Sequence, residues 1–281
     1  MLTRRANKTV SEISIYLNDN GVKNSIGGER MSRLKLALFA SLILLATCLV
    51  YLGSFSFNAP RILIKEGTSS NWSGYAIETN LTHPQKGAVT DVKGSWTVPA
   101  VDYSTTPNAY SSFWIGIDGY SSGTVEQIGT SSDASSGSPK YYVWYEMYPK
   151  WPVVLNMVIS PGDMMSAEVR YLGNGKFQLT ITDTTTGASF TTTQKSPSAK
   201  RSSAEWIAEA PSSGKVLPLA DFGTVYFENA QATLNGITGS INNSAWQYDA
   251  ITMTTSSGTV KALPSSLSPD GRSFSVTWYH S

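Results

Sequence analysis

From about Thr68 to the C-terminus, apolar and polar positions alternate with a period of two. Successive side chains of a strand point to opposite faces, so this alternation predicts half-buried strands. The clearest are 94–98, 112–117, 141–148, 164–171, 177–183, 224–227 and 273–279, rich in β-branched and aromatic residues. Turn chemistry punctuates them at 173–175 (GNG), 184–187 (TTTG) and 268–271 (SPDG). No segment sustains apolar spacing at i, i+3 and i+4 over three turns. Ser202-x-x-Glu205 has the spacing of a helix capping box, but the stretch before Pro211 is short and reads equally well as a strand. Many short strands, no internal repeat and no dividing linker predict one all-β domain over 68–281, an antiparallel β-sandwich of two packed sheets.

The first part of the chain follows another pattern. Residues 1–35 carry seven basic side chains against three acidic ones, and an almost unbroken apolar run follows over 36–52. Seventeen residues is at the low edge for crossing a bilayer core, which takes about 20. Basic residues before an apolar run predict an N-terminus held inside and the remainder exported. Met31 offers a second start, after which the run is an ordinary signal sequence. No clean small-x-small cleavage site follows, so signal peptide and uncleaved membrane anchor both stay open. The expected organisation is therefore a cytoplasmic basic segment with a signal or anchor over 1–57, a short linker over 58–67, and the extracytoplasmic β domain.

Composition narrows the chemistry. With 21 Lys+Arg against 20 Asp+Glu there is no basic surplus, which argues against a nucleic-acid partner. The one cysteine, Cys48, lies inside the apolar run and reads as a membrane-buried residue, so the β domain has no disulfide and no cysteine metal site. The only histidines are His83, in a polar loop before Pro84, and His280, beside the C-terminus. Carboxylates, amides and hydroxyls are left to do any chemistry, and a chain with 8 Trp and 14 Tyr can build a large apolar core instead of cross-links.

Gly119-Tyr120-Ser121-Ser122-Gly123 matches the G-x-S-x-G elbow of serine hydrolases. That elbow needs a following helix and a later histidine; "TVEQIG" reads as a strand, so a Ser/Gly turn is the better reading. More informative are polar residues inside strongly apolar strands. Asp118 ends "FWIGIDG" after Trp114, and Glu126 and Gln127 are adjacent and so face opposite ways. Trp144, Glu146 and Tyr148 share one strand face, and Glu205 stands beside Trp206. One such acid is ordinarily an outward-facing position. Four segments of this kind imply a common cleft with aromatic walls and a few convergent polar groups.

Taken in order, "SNWSGY" (70–75), "FWIGIDG" (113–119), "EQIGT" (126–130), "WYEMYP" (144–149) and "SAEWIAEAP" (203–211) resemble the glutamic peptidases, or eqolisins, of family G1. The resemblance covers about 68–230; residues 231–281 match poorly, and the disulfides of fungal members are missing here. It implies a two-sheet, concanavalin-like sandwich, secretion, and endopeptidase action on polypeptides at acid pH; the chain is further expected to be a monomer and to need no metal or organic cofactor. The family's glutamine in Q-x-G falls on Gln127, and its glutamate in AE-aromatic-I is placed on Glu205. Trp72, Trp114, Asp118, Trp144, Glu146 and Tyr148 match positions that line or support the family's cleft. In that scheme Glu205 moves protons between water, carbonyl and leaving nitrogen, while Gln127 orients the water and stabilises the oxyanion. The starting protonation state of Glu205 stays open. Two other readings compete: a carbohydrate-active sandwich using Glu146 and Glu205 as its two carboxylates, and a non-catalytic surface adhesion domain.

Overall fold

The computed structural model describes residues 67–281. The basic segment and the apolar run 36–52, with the signal and membrane expectations placed on them, lie outside the described residues. Within the described chain all regular structure is strand. The first eight are β1 (Thr68–Ser69), β2 (Trp72–Glu78), β3 (Val89–Thr97), β4 (Ser112–Ile117), β5 (Val125–Ser135), β6 (Ser138–Tyr148), β7 (Val153–Val154) and β8 (Met164–Gly173). Then come β9 (Lys176–Asp183), β10 (Ser189–Lys195), β11 (Ser203–Glu209), β12 (Thr224–Leu234), β13 (Ile237–Gly239), β14 (Gln247–Thr254), β15 (Val260–Pro264) and β16 (Phe274–Trp278). Each of the seven predicted strands is present. The capping-box segment is β11, a strand whose two neighbours satisfy its backbone.

The strands run β10-β9-β8-β3-β12-β16-β15-β14-β2-β11-β4-β5-β6-β7, almost wholly antiparallel; β1 pairs parallel to β14. The expectation of two separate sheets is thus refined. Gln247–Ile251 of β14 pair with β2, whereas its last residues, Met253 and Thr254, pair with β15. One strand therefore serves both layers, and backbone groups that would form an open edge are paired.

The two layers share one apolar core. Phe113, Ile115, Ile128 and Trp206 from the β2–β7 side meet Trp96, Met165, Phe177 and Phe227 from the other. Two indoles tie the layers together: Trp206 Nε1 donates to Lys93 O at 2.7 Å, and Trp96 Nε1 donates to Thr130 Oγ1 at 2.9 Å. The close approach explains Gly94, where a Cβ would lie 2.9 Å from Trp206 Cδ1. The opposite face of the β2–β11–β4–β5–β6 layer carries a second apolar group, with Trp114, Val125, Trp144 and Ile207 buried and Trp72 and Tyr120 packed against them. That face holds the site.

Candidate active site

Strand register arranges this face in rows. Ala76, Glu205, Gly116, Gln127 and Glu146 form one; Gly74, Ile207, Trp114, Gly129 and Trp144 the next; Trp72, Glu209, Ser112, Ser131 and Tyr142 the third. Gly116 and Gly129 matter because a Cβ at Gly129 would lie 2.4 Å from Phe113 O, and one at Gly116 3.1 Å from both Trp114 and Gln127. Their missing side chains leave room for the large rings. Above the rows opens a cleft of about 1120 Å³. Its walls include Trp72, Tyr120, Trp144 and Tyr148, with Gln127, Glu146 and Glu209 as polar groups among them. The predicted aromatic-walled cleft is therefore present, and its chemistry-bearing groups include the Gln127 amide and the carboxyls of Glu146, Glu209 and Asp249.

Gln127 lies at the base of this cleft, 5% exposed. Its Nε2 donates to Glu146 Oε2 at 2.5 Å, and its Oε1 is buried with no partner. A buried amide oxygen left unpaired costs free energy unless water or a ligand completes it. Glu146 is pushed above the usual carboxylate range by burial, against the hydrogen bond from Gln127.

Glu209 ends β11, half-buried in the same cleft. Trp114 Nε1 donates to its Oε2 at 2.8 Å and Asn71 Nδ2 to its Oε1 at 3.0 Å. Trp114, fully buried, stands edge-on to Trp72 at 5.0 Å, so the donor is fixed by packing. Burial raises Glu209 to about 7; the indole and amide donors pull it down, and the charge of Glu146 pushes it up. It is thus a group able to carry or release a proton, held by two donors at an open surface.

Glu205, placed in the acid–base role by the sequence, is elsewhere. It is completely enclosed, does not line the cleft, and neither carboxyl oxygen has a hydrogen-bond partner. Burial raises it well above the usual range, and the charges of Asp118 and Glu78 act in the same direction. The segment 119–124, between β4 and β5, belongs to this region: Ser121 Oγ donates to Glu78, and Tyr120 OH donates to Asp249 at 2.7 Å. This segment is the G-x-S-x-G match, and it is a loop leading into a strand. A carboxyl shut away from solvent can neither take a proton from a substrate water nor return it. The carbohydrate-active reading fails at the same point, because Glu205 was to be its second carboxylate.

The remaining predicted residues divide by position. Trp72, Trp144, Glu146 and Tyr148 line the cleft. Trp114 underlies it, and Trp144 Nε1 donates to Ser131 Oγ at 3.0 Å. Asp118 is buried and structural, accepting from Arg201 N at 2.6 Å and Ser202 N at 2.9 Å, so that it fixes the entry to β11. Glu126 faces away from Gln127, as adjacent positions must, and is buried. His83 is exposed. What the sequence reading missed is Glu209, with Asn71. Both acids belong to the same "SAEWIAEAP" stretch, and period two puts Glu205, Ile207 and Glu209 on one face. Glu209 is the last residue of the strand, and Pro211 follows two positions later.

Residues 70–278 match the model of the Peptidase A4 family. Over 197 residues the chain is 30% identical to aspergillopepsin-2 of Aspergillus niger, a match covering 62% of this chain and 67% of that protein. Scytalido-glutamic peptidase, solved with a peptide-based transition-state analogue, shares the fold with a TM-score of 0.63 at 22% identity, over 75% of this chain and 99% of that one. Aspergilloglutamic peptidase from Aspergillus niger superposes with a TM-score of 0.54 at 30% identity, over 61% and 99%. The family match spans most of the chain, including β2, β4, β5, β6 and β11 beneath the cleft: the chain belongs to the Peptidase A4 family, the glutamic peptidases also called eqolisins, which hydrolyse peptide bonds.

Proposed function

We propose that this chain is an exported endopeptidase working at acid pH, with Glu209 as its proton-carrying group and Gln127 as the amide that orients water and supports the oxyanion. The observation that carries the reading is Glu209 itself: a carboxyl open to the cleft, fixed by Trp114 and Asn71, and raised to about 7. Its protonated form then predominates throughout the acid range; at pH 4 about one molecule in a thousand has it ionised. The reaction accordingly starts with Glu209 as an acid.

Glu209 donates its proton to the carbonyl oxygen of the scissile amide. Water attacks the carbon, and the carboxylate just formed takes a proton from it, leaving a neutral gem-diol. The re-protonated Glu209 then protonates the amide nitrogen, the C–N bond breaks, and a hydroxyl proton of the product acid returns to Glu209. One water is consumed and the enzyme ends as it began. Gln127 Oε1, unpaired in the structure, accepts from the attacking water, and the second hydrogen of its Nε2 is free for the developing oxygen charge. One such donor is worth about 3 kcal/mol, roughly a hundredfold in rate or more.

The test is casein or peptide hydrolysis at pH 3–5 by the full chain and by Glu209→Gln, Gln127→Ala and Glu205→Gln. Glu209→Gln and Gln127→Ala lose at least a hundredfold, while Glu205→Gln retains most of the activity. Full turnover by Glu209→Gln, or loss confined to Glu205→Gln, returns the acid–base role to Glu205.

A further inference from the structure

The wall of the cleft beside Gln127 and Glu146 has a feature that the reaction does not use. β6 and β7 form a hairpin whose tip, residues 148–152, reads Tyr-Pro-Lys-Trp-Pro, and all five residues line the cleft. Trp151 is 80% exposed, and around it Tyr148 is 49% and Val154 60% exposed. Singly exposed apolar residues are ordinary; a grouped set on the wall of a binding cleft marks a surface that a ligand covers.

We propose that this hairpin tip is a subsite for one large apolar or aromatic side chain of the substrate, with Trp151 as its specificity-determining residue. The proposal rests on the peptidase reading above and adds to it the class of residue accepted next to the reacting centre. The register fixes the location. Tyr148 is opposite Val125, and two residues along, Glu146 is opposite Gln127, so an occupant of the tip abuts the groups proposed to handle water. The tip is also stiff. Pro149 and Pro152 bracket Lys150 and Trp151, each proline has a fixed φ, and Lys150 N donates to Met147 O at 3.0 Å. A pre-set loop loses little conformational freedom when a side chain packs on its indole, so more of the contact is realised as affinity.

Charge selects among occupants. An indole also accepts a cation over its face, but Lys150 is adjacent to Trp151 on the same tip and exposed. In acid, Glu146 is raised and so less able to compensate that ammonium. A Lys or Arg side chain is therefore disfavoured, and an uncharged ring or long aliphatic chain is preferred.

The experiment compares the full chain with Trp151→Ala and Trp151→Phe at pH 4. A fluorogenic peptide series places Phe, Leu, Arg or Ala at successive positions flanking one scissile bond. At one position the unaltered chain prefers Phe and Leu over Ala and Arg in kcat/KM. Trp151→Ala reduces that Phe-over-Ala ratio by roughly tenfold, the scale of discrimination that apolar pockets give, while Trp151→Phe keeps most of it. An equal fall for all four peptides, an unchanged ratio, or a preference for Arg overturns the proposal. Quenching of tryptophan fluorescence by the uncleaved Phe peptide, measured beside turnover, separates the two readings. Selective binding that depends on Trp151 without any cleavage overturns the peptidase mechanism alone. Cleavage without side-chain preference overturns the subsite alone.

Discussion

Glu126 gives the sharpest test of how this fold responds to pH. Its side chain points into the space between the layers, since its strand partners are Ile117 and Met147 and its neighbour Ile128 is core. It is completely buried, and neither carboxyl oxygen has a hydrogen-bond partner. Burial lifts it to about 8, opposed by the hydroxyls of Ser196 and Thr124 and assisted by the charge of Asp118. The folded state thus holds this proton more tightly than the unfolded chain, where the carboxyl titrates near 4.5. Between those two values the native state binds more protons, so stability falls as pH rises and is highest below the unfolded value. With 1.36 kcal/mol per pH unit, moving from pH 4 to pH 7 costs the fold about 3 kcal/mol through this one group. Glu126→Gln removes the titration and keeps the shape. The measurement is urea unfolding at pH 4 and pH 7, followed by tryptophan fluorescence in a Gln127→Ala background that prevents self-digestion. The parent should lose about 3 kcal/mol more than the variant across that interval. Parallel losses in the two proteins would show that Glu126 is solvated or paired, and the argument from burial would fail.

Three further outcomes follow from single contacts. Trp114→Phe deletes the donor that favours ionised Glu209, so the falling limb of the kcat/KM–pH profile, expected near 7 in the parent because Glu209 is raised to about 7, should move upward; an unmoved limb refutes the role of the indole. Gly94→Ala puts a methyl 2.9 Å from Trp206 Cδ1, a ring already held by its bond to Lys93 O. Overpacking there should cost about 1–3 kcal/mol in thermal or urea unfolding, with the catalytic residues untouched. Asp118→Ala strands the buried amides of Arg201 and Ser202. At pH 4, where the neighbouring Glu78 and Glu126 carry their protons, the loss should be about 3 kcal/mol; no loss would mean that other groups hold the start of β11.

The places where sequence and structure part company have one physical cause. Period-two alternation reports which face a residue takes, and on that count the reading was sound: Gln127 opposes Glu126, and Trp144, Glu146 and Tyr148 share the cleft face. It also held for the individual strands, since β-branched runs between turn residues specify strands locally. Alternation carries no information about what covers a face. Glu205 and Glu209 have the same parity, the same strand and the same aromatic company, and they differ because the 119–124 segment packs over one end of the sheet and leaves the other open. That segment is anchored by Ser121 on Glu78 and Tyr120 on Asp249, contacts 43 and 129 positions apart in the chain. No local pattern encodes pairs at such separations. The same limit hid the passage of β14 between layers, which depends on β2 and β15 pairing with successive parts of one strand. Buried carboxyls are then what such a cover costs: Glu78 and Glu205 are raised above the usual range, as Glu126 is by its burial between the layers. These raised acids favour the folded state as pH falls, in the range where Glu209 also holds the proton that the proposed chemistry requires. Stability and mechanism therefore point to the same pH range through different residues, and the Glu126 and Trp114 substitutions can move one without the other.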